Sequence, residues 1–439
     1  MPTQTHTDKL SIKTKLLYGI GDTGNALVNS SVQFFLLIFY TDAALLPAAV
    51  VGSALFFAKF WDAVNDPLLG WLSDRTTSRR FGKRRGFMIL GAIPLALSIM
   101  LLWFVPGGVS GMGVFFWVLL TFILFDTLWT LTNVPYYSLT GELTDDYDER
   151  ASLTTYRMAL VALFATKRVG YGAVGIIYGV IAAAVLLIAA AGLRERPQVA
   201  GRRDETPAVR AFLLTFSNRP FVRLLVAYLI LNTAFAFVKT LMAFYLTYQL
   251  GMEAETPLVM GLLLICVVLA LFPWKMIAER WNKGPAYAAG MAIGGLAVAA
   301  TFLLPRGPTP LIYAVAAVAG IGFGSQWVFP LAMVPDVVDY DRLRSGEQRT
   351  GMYFGVWGLA TKVSEAFALA ASGWILALFH YVPNAAQTEQ TLLGIRLFFG
   401  PIPAALMLLC LPLLIWYPIT RASHREIMER LAEAVVRDA

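Results

Sequence analysis

Asp62 and Asp66 stand four residues apart in FWDAVNDPLLG, residues 60 to 70, with Asn65 beside them in an otherwise apolar stretch. On a helix that spacing places both carboxylates on one face. A charged side chain at the centre of a bilayer costs roughly 2.5–3.5 kcal/mol on insertion scales, so two on one helix require a reason. Hard oxygen ligands so arranged suit a small cation, Na+ among them, or a transferable proton. The competing reading is that the acids brace a helix contact by pairing with Lys or Arg. A second polar line, Asp126, Thr130, Asn133 and Tyr137, steps by four, three and four, which is one helical face. Further along, Lys239 and Lys362 each interrupt an apolar run, and Glu365 is a candidate partner for Lys362 one turn away.

The elements that must hold these groups are set by composition. Of 439 residues, 58% are hydrophobic and 14% charged, and the mean hydropathy is +0.64, far too apolar for a water-soluble fold of this length. Runs such as GFMILGAIPLALSIMLLWFV reach the roughly 20 residues a helix needs to cross the hydrocarbon core, and nothing shows the ten-residue alternation of a membrane barrel. An all-α membrane protein follows. The two cysteines, Cys266 and Cys410, both sit in apolar runs and indicate no disulfide framework. The first apolar run starts only after MPTQTHTDKLSIKTK, so no cleavable signal peptide is expected.

Apolar segments near 17–40, 47–72, 87–106, 113–138, 151–167, 170–192, 221–249, 256–278, 285–304, 310–333, 350–379 and 392–418 predict twelve transmembrane helices. The long polar connection near 193–220 divides them into two six-helix halves: residues 1–195, a linker at 196–220, residues 221–420, and a tail at 421–439. A transporter built from repeats, with its site near mid-membrane, is the expected plan. FFLLIFYTDAALL and LMAFYLTYQLGME, before the second span of each half, are weakly alike. The net charge of +7 does not point to nucleic acid, because the basic residues gather in alternate connections: DRTTSRRFGKRR, LRERPQVAGRRDETPAVR, ERWNK and DRLRSGEQR carry them, whereas TDAALLPAA, PGGVSGMG, GMEAETP and HYVPNAAQTEQT carry none. The positive-inside rule then places both termini and the basic loops in the cytoplasm of a cell inner membrane. One span is anomalous. Between Arg157 and Lys167 the apolar core of span five is only MALVALFA, about 12 Å of helix against a core of roughly 30 Å. Either the span is short or part of the natural chain is missing between Ala165 and Val169.

Several long motifs, in order, resemble the glycoside–pentoside–hexuronide:cation symporters of the major facilitator superfamily, the melibiose-permease-like family. They are YGIGDTGN and FYTD in span one, KFWDAVNDPLLGWLSDRTTSRRFGKRR through span two, NVPYYSLTGELTDDYDERASLTTYR, MVPDVVDYDRLRSGEQRTGMYFG and HYVPNAAQTEQTLLGIRL. The resemblance implies the major facilitator fold and alternating access. It also implies a cation site at Asp62, Asn65, Asp66 and Thr130, with Asn133 replacing a family acid that touches both cation and sugar. That amide removes a negative charge and weakens the case for sodium over protons. For the solute it implies positions Asp22, Ala26, Asn133, Tyr137, Arg157 and Trp327; Ala26 replaces the family's sugar-binding acid, so melibiose itself is not expected. Lys362 matches an intramembrane lysine that approaches the span-two aspartates, a latch to which Asp126 could contribute charge. Gly70, Asp74, Arg75 and Arg79 match a cytoplasmic gate.

The expectation is a cation-coupled (H+ or Na+) secondary symporter of a glycoside, pentoside, hexuronide or similar small polar solute. It has no catalytic residues and no cofactor, and it works as a monomer in the lipid bilayer. A related branch carries lysophospholipids, and the lost polarity at Ala26 suits such a ligand. An enzyme is disfavoured, since His6, His380 and His424 lie outside or at the ends of spans and no HExxH, GxSxG or phosphate loop is present.

Overall fold

The structure, a computed structural model, describes residues 12–75, 85–108, 112–143, 171–192, 208–346 and 350–438, and within several helices the backbone alone. The described residues are helical, joined by short turns, without strands. The anomalous stretch between Arg157 and Val169 lies outside them. By length and composition seven described helices can cross a membrane: Arg85–Leu102, Met112–Asn133, Arg219–Gln249, Glu253–Trp281, Lys283–Leu303, Leu311–Ser345 and Glu389–Ile415. Shorter apolar stretches run over Ser31–Ala43, Ala48–Lys59 and Gly179–Gly192.

The chain divides into two compact units, one of residues 1–201 with 373–378 and 383–385, the other of the remainder. In the first, α1 (Ile12–Ile38), α2 (Ala48–Arg75), α3 (Arg85–Leu102), α4 (Met112–Leu143) and α5 (Tyr171–Gly192) pack as neighbours in the order α2, α4, α3, α5, α1. The faces are sorted for lipid. On α3, Ala92, Leu95 and Ile99 are fully buried, while Leu90, Ile93 and Leu97 are 75%, 62% and 55% exposed. An outward stripe of that kind is intolerable in water and natural against hydrocarbon. Close approach comes from small residues: a Cβ on Gly179 of α5 would lie 2.9 Å from the Ala96 carbonyl oxygen of α3.

The second unit holds a short helix α6 (Ala208–Thr215) followed by α7 (Arg219–Phe244), α8 (Thr256–Trp281), α9 (Lys283–Ala300), α10 (Leu311–Ser345), α11 (Thr350–Leu378) as far as Ser372, α12 (Glu389–Phe399), α13 (Pro401–Leu409), α14 (Leu411–Ile415) and α15 (Arg421–Asp438). Here α10 lies between α8 and α9, and α13 bridges α9 to α7. Asn218 caps α7, its side chain accepting from the Phe221 N–H, while its amide donates to the Val337 carbonyl and to Tyr353 Oη. Gly290 and Gly294 on α9 face Gly322 on α10, and a Cβ on Gly322 would fall on the Gly294 nitrogen and the Gly290 carbonyl. This is the small-residue contact that membrane helices use to bring backbones together.

Each unit repeats one device. Helix α1 ends in a widened turn at Phe39–Ala43 and α7 in another at Tyr245–Gln249, each within one of the two alike segments. At the start of each, a fully buried tyrosine donates its hydroxyl to a carbonyl at the end of the unit's third span. Tyr40 reaches Leu102 O at 2.9 Å and Tyr245 reaches Thr301 O at 2.6 Å. A phenol hydroxyl and a helix-end carbonyl satisfy one another where no water is at hand.

Candidate cation and solute sites

In the first unit the chemistry gathers where α2 meets α4. Asp62 and Asn65 on α2, and Asp126, Thr130 and Asn133 on α4, are each 2–3% exposed. The helical period accounts for this: the α4 residues share one face and that face packs on α2. Between the two carboxylates stands a group that the motif analysis passed over. Lys59 Nζ lies 3.1 Å from Asp62 Oδ2 and 3.8 Å from Asp126 Oδ1, and 5.4 Å from the centre of the Phe122 ring. Lys59 precedes Asp62 by three residues, so the spacing rule applied to the aspartates would have found it as well. The bracing reading therefore describes Asp62 in this structure, with Lys59 as its partner. Two buried carboxylates from neighbouring helices thus share the Lys59 ammonium. The Asn65 amide nitrogen is buried without a hydrogen-bond partner, an open donor beside Asp62. Asn133 donates to the Trp129 carbonyl of its own helix at 3.1 Å.

Asp66 lies on α2 one turn beyond Asp62, Asp22 and Ala26 on α1, Tyr137 on α4, and Gly70, Asp74 and Arg75 at the end of α2; their side chains lie outside the described set, as do residues Arg79 and Arg157 altogether. No group of three His, Cys, Asp or Glu comes together as a metal site among the described residues.

In the second unit Glu365 pairs with Lys239 of α7, at 3.4 Å. The ammonium of Lys239, side chain 10% exposed, needs a counter-charge in the interior. Lys362 sits on α11 in this unit, half-buried. Beside the pair runs a polar seam that sequence inspection missed. Asn232 donates to Ser364 Oγ at 2.6 Å, Tyr228 Oη and Thr361 Oγ1 are 2.9 Å apart, and the Tyr228 ring lies on Trp357 with centroids 4.0 Å apart. Tyr287 on α9 hydrogen-bonds Gln326 Oε1 on α10, and Trp327 follows on α10, half-buried. These residues recur on α7 at 228 and 232 and on α11 at 357, 361, 364 and 365, a helical period that could have been read only with the neighbouring helix known.

Comparison with known proteins bears on this arrangement. A family model described as MFS/sugar transport protein matches residues 17–421. An uncharacterised symporter of Synechocystis sp. is 28% identical over 97% of both chains. A protein of Xenopus tropicalis named sodium-dependent lysophosphatidylcholine symporter 1 is 26% identical, covering 97% of this chain and 91% of that one. A sphingosine-1-phosphate transporter of the same frog is 27% identical over 96% and 91%. Among solved structures, the nucleoside transporter NupG superimposes with a TM-score of 0.62 at 14% identity, covering 92% of this chain and 99% of its own, which is a likeness of fold. A bacterial homologue of the human lysosomal transporter Spinster gives 0.63 at 14% identity, over 93% and 98%. With its helices dressed for lipid, its buried charge pairs and a family model spanning nearly the whole sequence, the chain belongs to the MFS/sugar transport protein family and is a multi-pass membrane transporter, not an enzyme.

Proposed function

We propose that this protein is a secondary symporter that couples H+ or Na+ to the uptake of a glycoside, pentoside, hexuronide or similar small polar solute by alternating access. The observation that carries the reading is the ammonium of Lys59 set between two buried carboxylates, 3.1 Å from Asp62 and 3.8 Å from Asp126. A cation arriving at Asp62, with Asn65, Asp66 and Thr130 on the same faces, competes with Lys59 for these carboxylates. Its differential affinity for two conformations is what can shift their populations. Asp22, Asn133, Tyr137, Arg157 and Trp327 are the solute positions in this reading, Lys362 its latch, and Gly70, Asp74, Arg75 and Arg79 its cytoplasmic gate.

A second reading, lysophospholipid transport with a coupled cation, is favoured by the relatives of that name matching 97% of the chain and by the apolar Ala26. The deciding experiment is thermal unfolding of the purified protein with glycosides, pentosides, uronates and lysolipids, each with and without Na+ and across pH. A ligand that binds the folded state raises the midpoint by mass action. A sugar or uronate shift that grows with Na+ or changes with pH supports the first reading; a shift confined to lysolipids transfers the proposal to the second. No cation dependence with any ligand refutes both.

A further inference from the structure

The Lys239–Glu365 pair is not accounted for by the cation site. Lys239 lies about 30 Å along the helix from Arg219 and about 15 Å from Gln249, deep within an apolar span. An ionisable group at that depth is a functional candidate in its own right. Its bond to Glu365 Oε1 is 3.4 Å, long beside the about 2.7–2.9 Å of a charge-assisted N–H···O contact. The ammonium also sits 4.8 Å from the centre of the Phe235 ring, and Phe235 packs on Phe323 of α10 with centroids 4.7 Å apart. One turn from Phe323 on α10 is Gln326, 6% exposed, whose amide nitrogen has no hydrogen-bond partner while its oxygen binds Tyr287. Whichever way that amide is turned, one end remains unmet, an independent sign that a polar ligand reaches this seam.

The pair is asymmetric, and the asymmetry fixes the sign of the ligand. Glu365 is the more exposed partner, its side chain 22% exposed against 10% for Lys239. An incoming cation would have to displace Lys239 from Glu365, and parting the more deeply buried charge from its counter-charge is the costlier outcome. An incoming anion displaces Glu365, the partner nearer the accessible side. We propose that Lys239 is the receptor for an anionic group of the transported solute, a carboxylate or a phosphate, held in reserve by Glu365 until the solute arrives. This deepens the symporter reading and rests on it.

The test is direct binding, by calorimetry on the purified full chain, of two matched pairs: glucuronate against glucose, and 1-palmitoyl lysophosphatidate against 1-palmitoylglycerol. Losing a charge-assisted contact in Lys239→Gln should weaken the charged member about tenfold or more and leave the neutral member nearly unchanged. Lys239→Arg should retain binding, and Glu365→Gln should strengthen the charged member by removing its competitor. The pair that responds distinguishes a uronate carboxylate from a lipid phosphate. If both variants weaken charged and neutral ligands alike, the pair is only a helix tie and the proposal falls. If Lys239→Gln does not fold, the sign of the Glu365→Gln effect decides alone. A wild type that binds a neutral member and not its charged partner overturns the anion receptor while leaving the symporter intact. A wild type that binds none of the four overturns the receptor, and the glycoside and pentoside arms of the unfolding assay then decide the solute reading separately.

Discussion

Lys59 Nζ and Asp62 Oδ2 are 3.1 Å apart on one face of α2, and the same ammonium is 3.8 Å from Asp126 on α4. A tethered cation thus stands beside the proposed cation position. Its removal is informative. Lys59→Met leaves two buried carboxylates without their shared counter-charge, a loss of about 3–5 kcal/mol for a fully buried pair, with the lower end expected at 17% exposure of the Lys59 side chain. The midpoint of thermal unfolding should fall in Na+-free buffer and recover on adding Na+ more than on adding an equal concentration of choline chloride. Equal recovery in both salts would argue that no cation is bound there.

Asp66→Asn removes one of the two carboxylates that stand four residues apart on α2. Coupled uptake in vesicles should be abolished while the amount of inserted protein is unchanged. Full uptake by this variant removes Asp66 from the cation site.

The glycine contact between α9 and α10 offers a contrast within one unit. A Cβ on Gly322 falls on the backbone of Gly290 and Gly294, whereas a Cβ on Gly355 of α11 meets nothing within 4 Å. Gly322→Ala should lower the unfolding midpoint by forcing the helices apart. Gly355→Ala should be neutral or stabilising by up to about 1 kcal/mol, from helix propensity. A Gly322→Ala protein as stable as its parent would contradict the close crossing.

The paired tyrosines test the repeated device. Tyr40→Phe and Tyr245→Phe each delete one hydroxyl that serves a helix-end carbonyl, Leu102 and Thr301 respectively. Each should cost about 1–3 kcal/mol, the range for a buried acceptor left unsatisfied. Amide hydrogen exchange should quicken at the end of the affected span and not in the other unit. Unchanged exchange in both variants would show that these bonds hold nothing in place.

The sequence by itself determined the class of molecule and the burial of the first cluster. Apolar runs of membrane length leave a chain no solution but helices, because backbone groups must pair within the segment where water is absent. The helical period then placed Asp126, Thr130 and Asn133 on one face, and all three are buried. The Lys59 contact was legible in the same way, since residues three apart on a helix meet, but attention to the acids alone passed over it. Only the tertiary structure decided the partners of Lys239, Asn232 and Tyr228, which lie 126 to 133 residues away along the chain. In water an apolar stripe marks the side of a helix that faces its neighbours; in lipid all sides are apolar, so the stripe vanishes as a guide. Which helix meets which is settled instead by close backbone approach at residues such as Gly290, Gly294 and Gly322, and by long-range hydrogen bonds such as Tyr245 to Thr301. Those choices gave Glu365 a lysine partner on another helix.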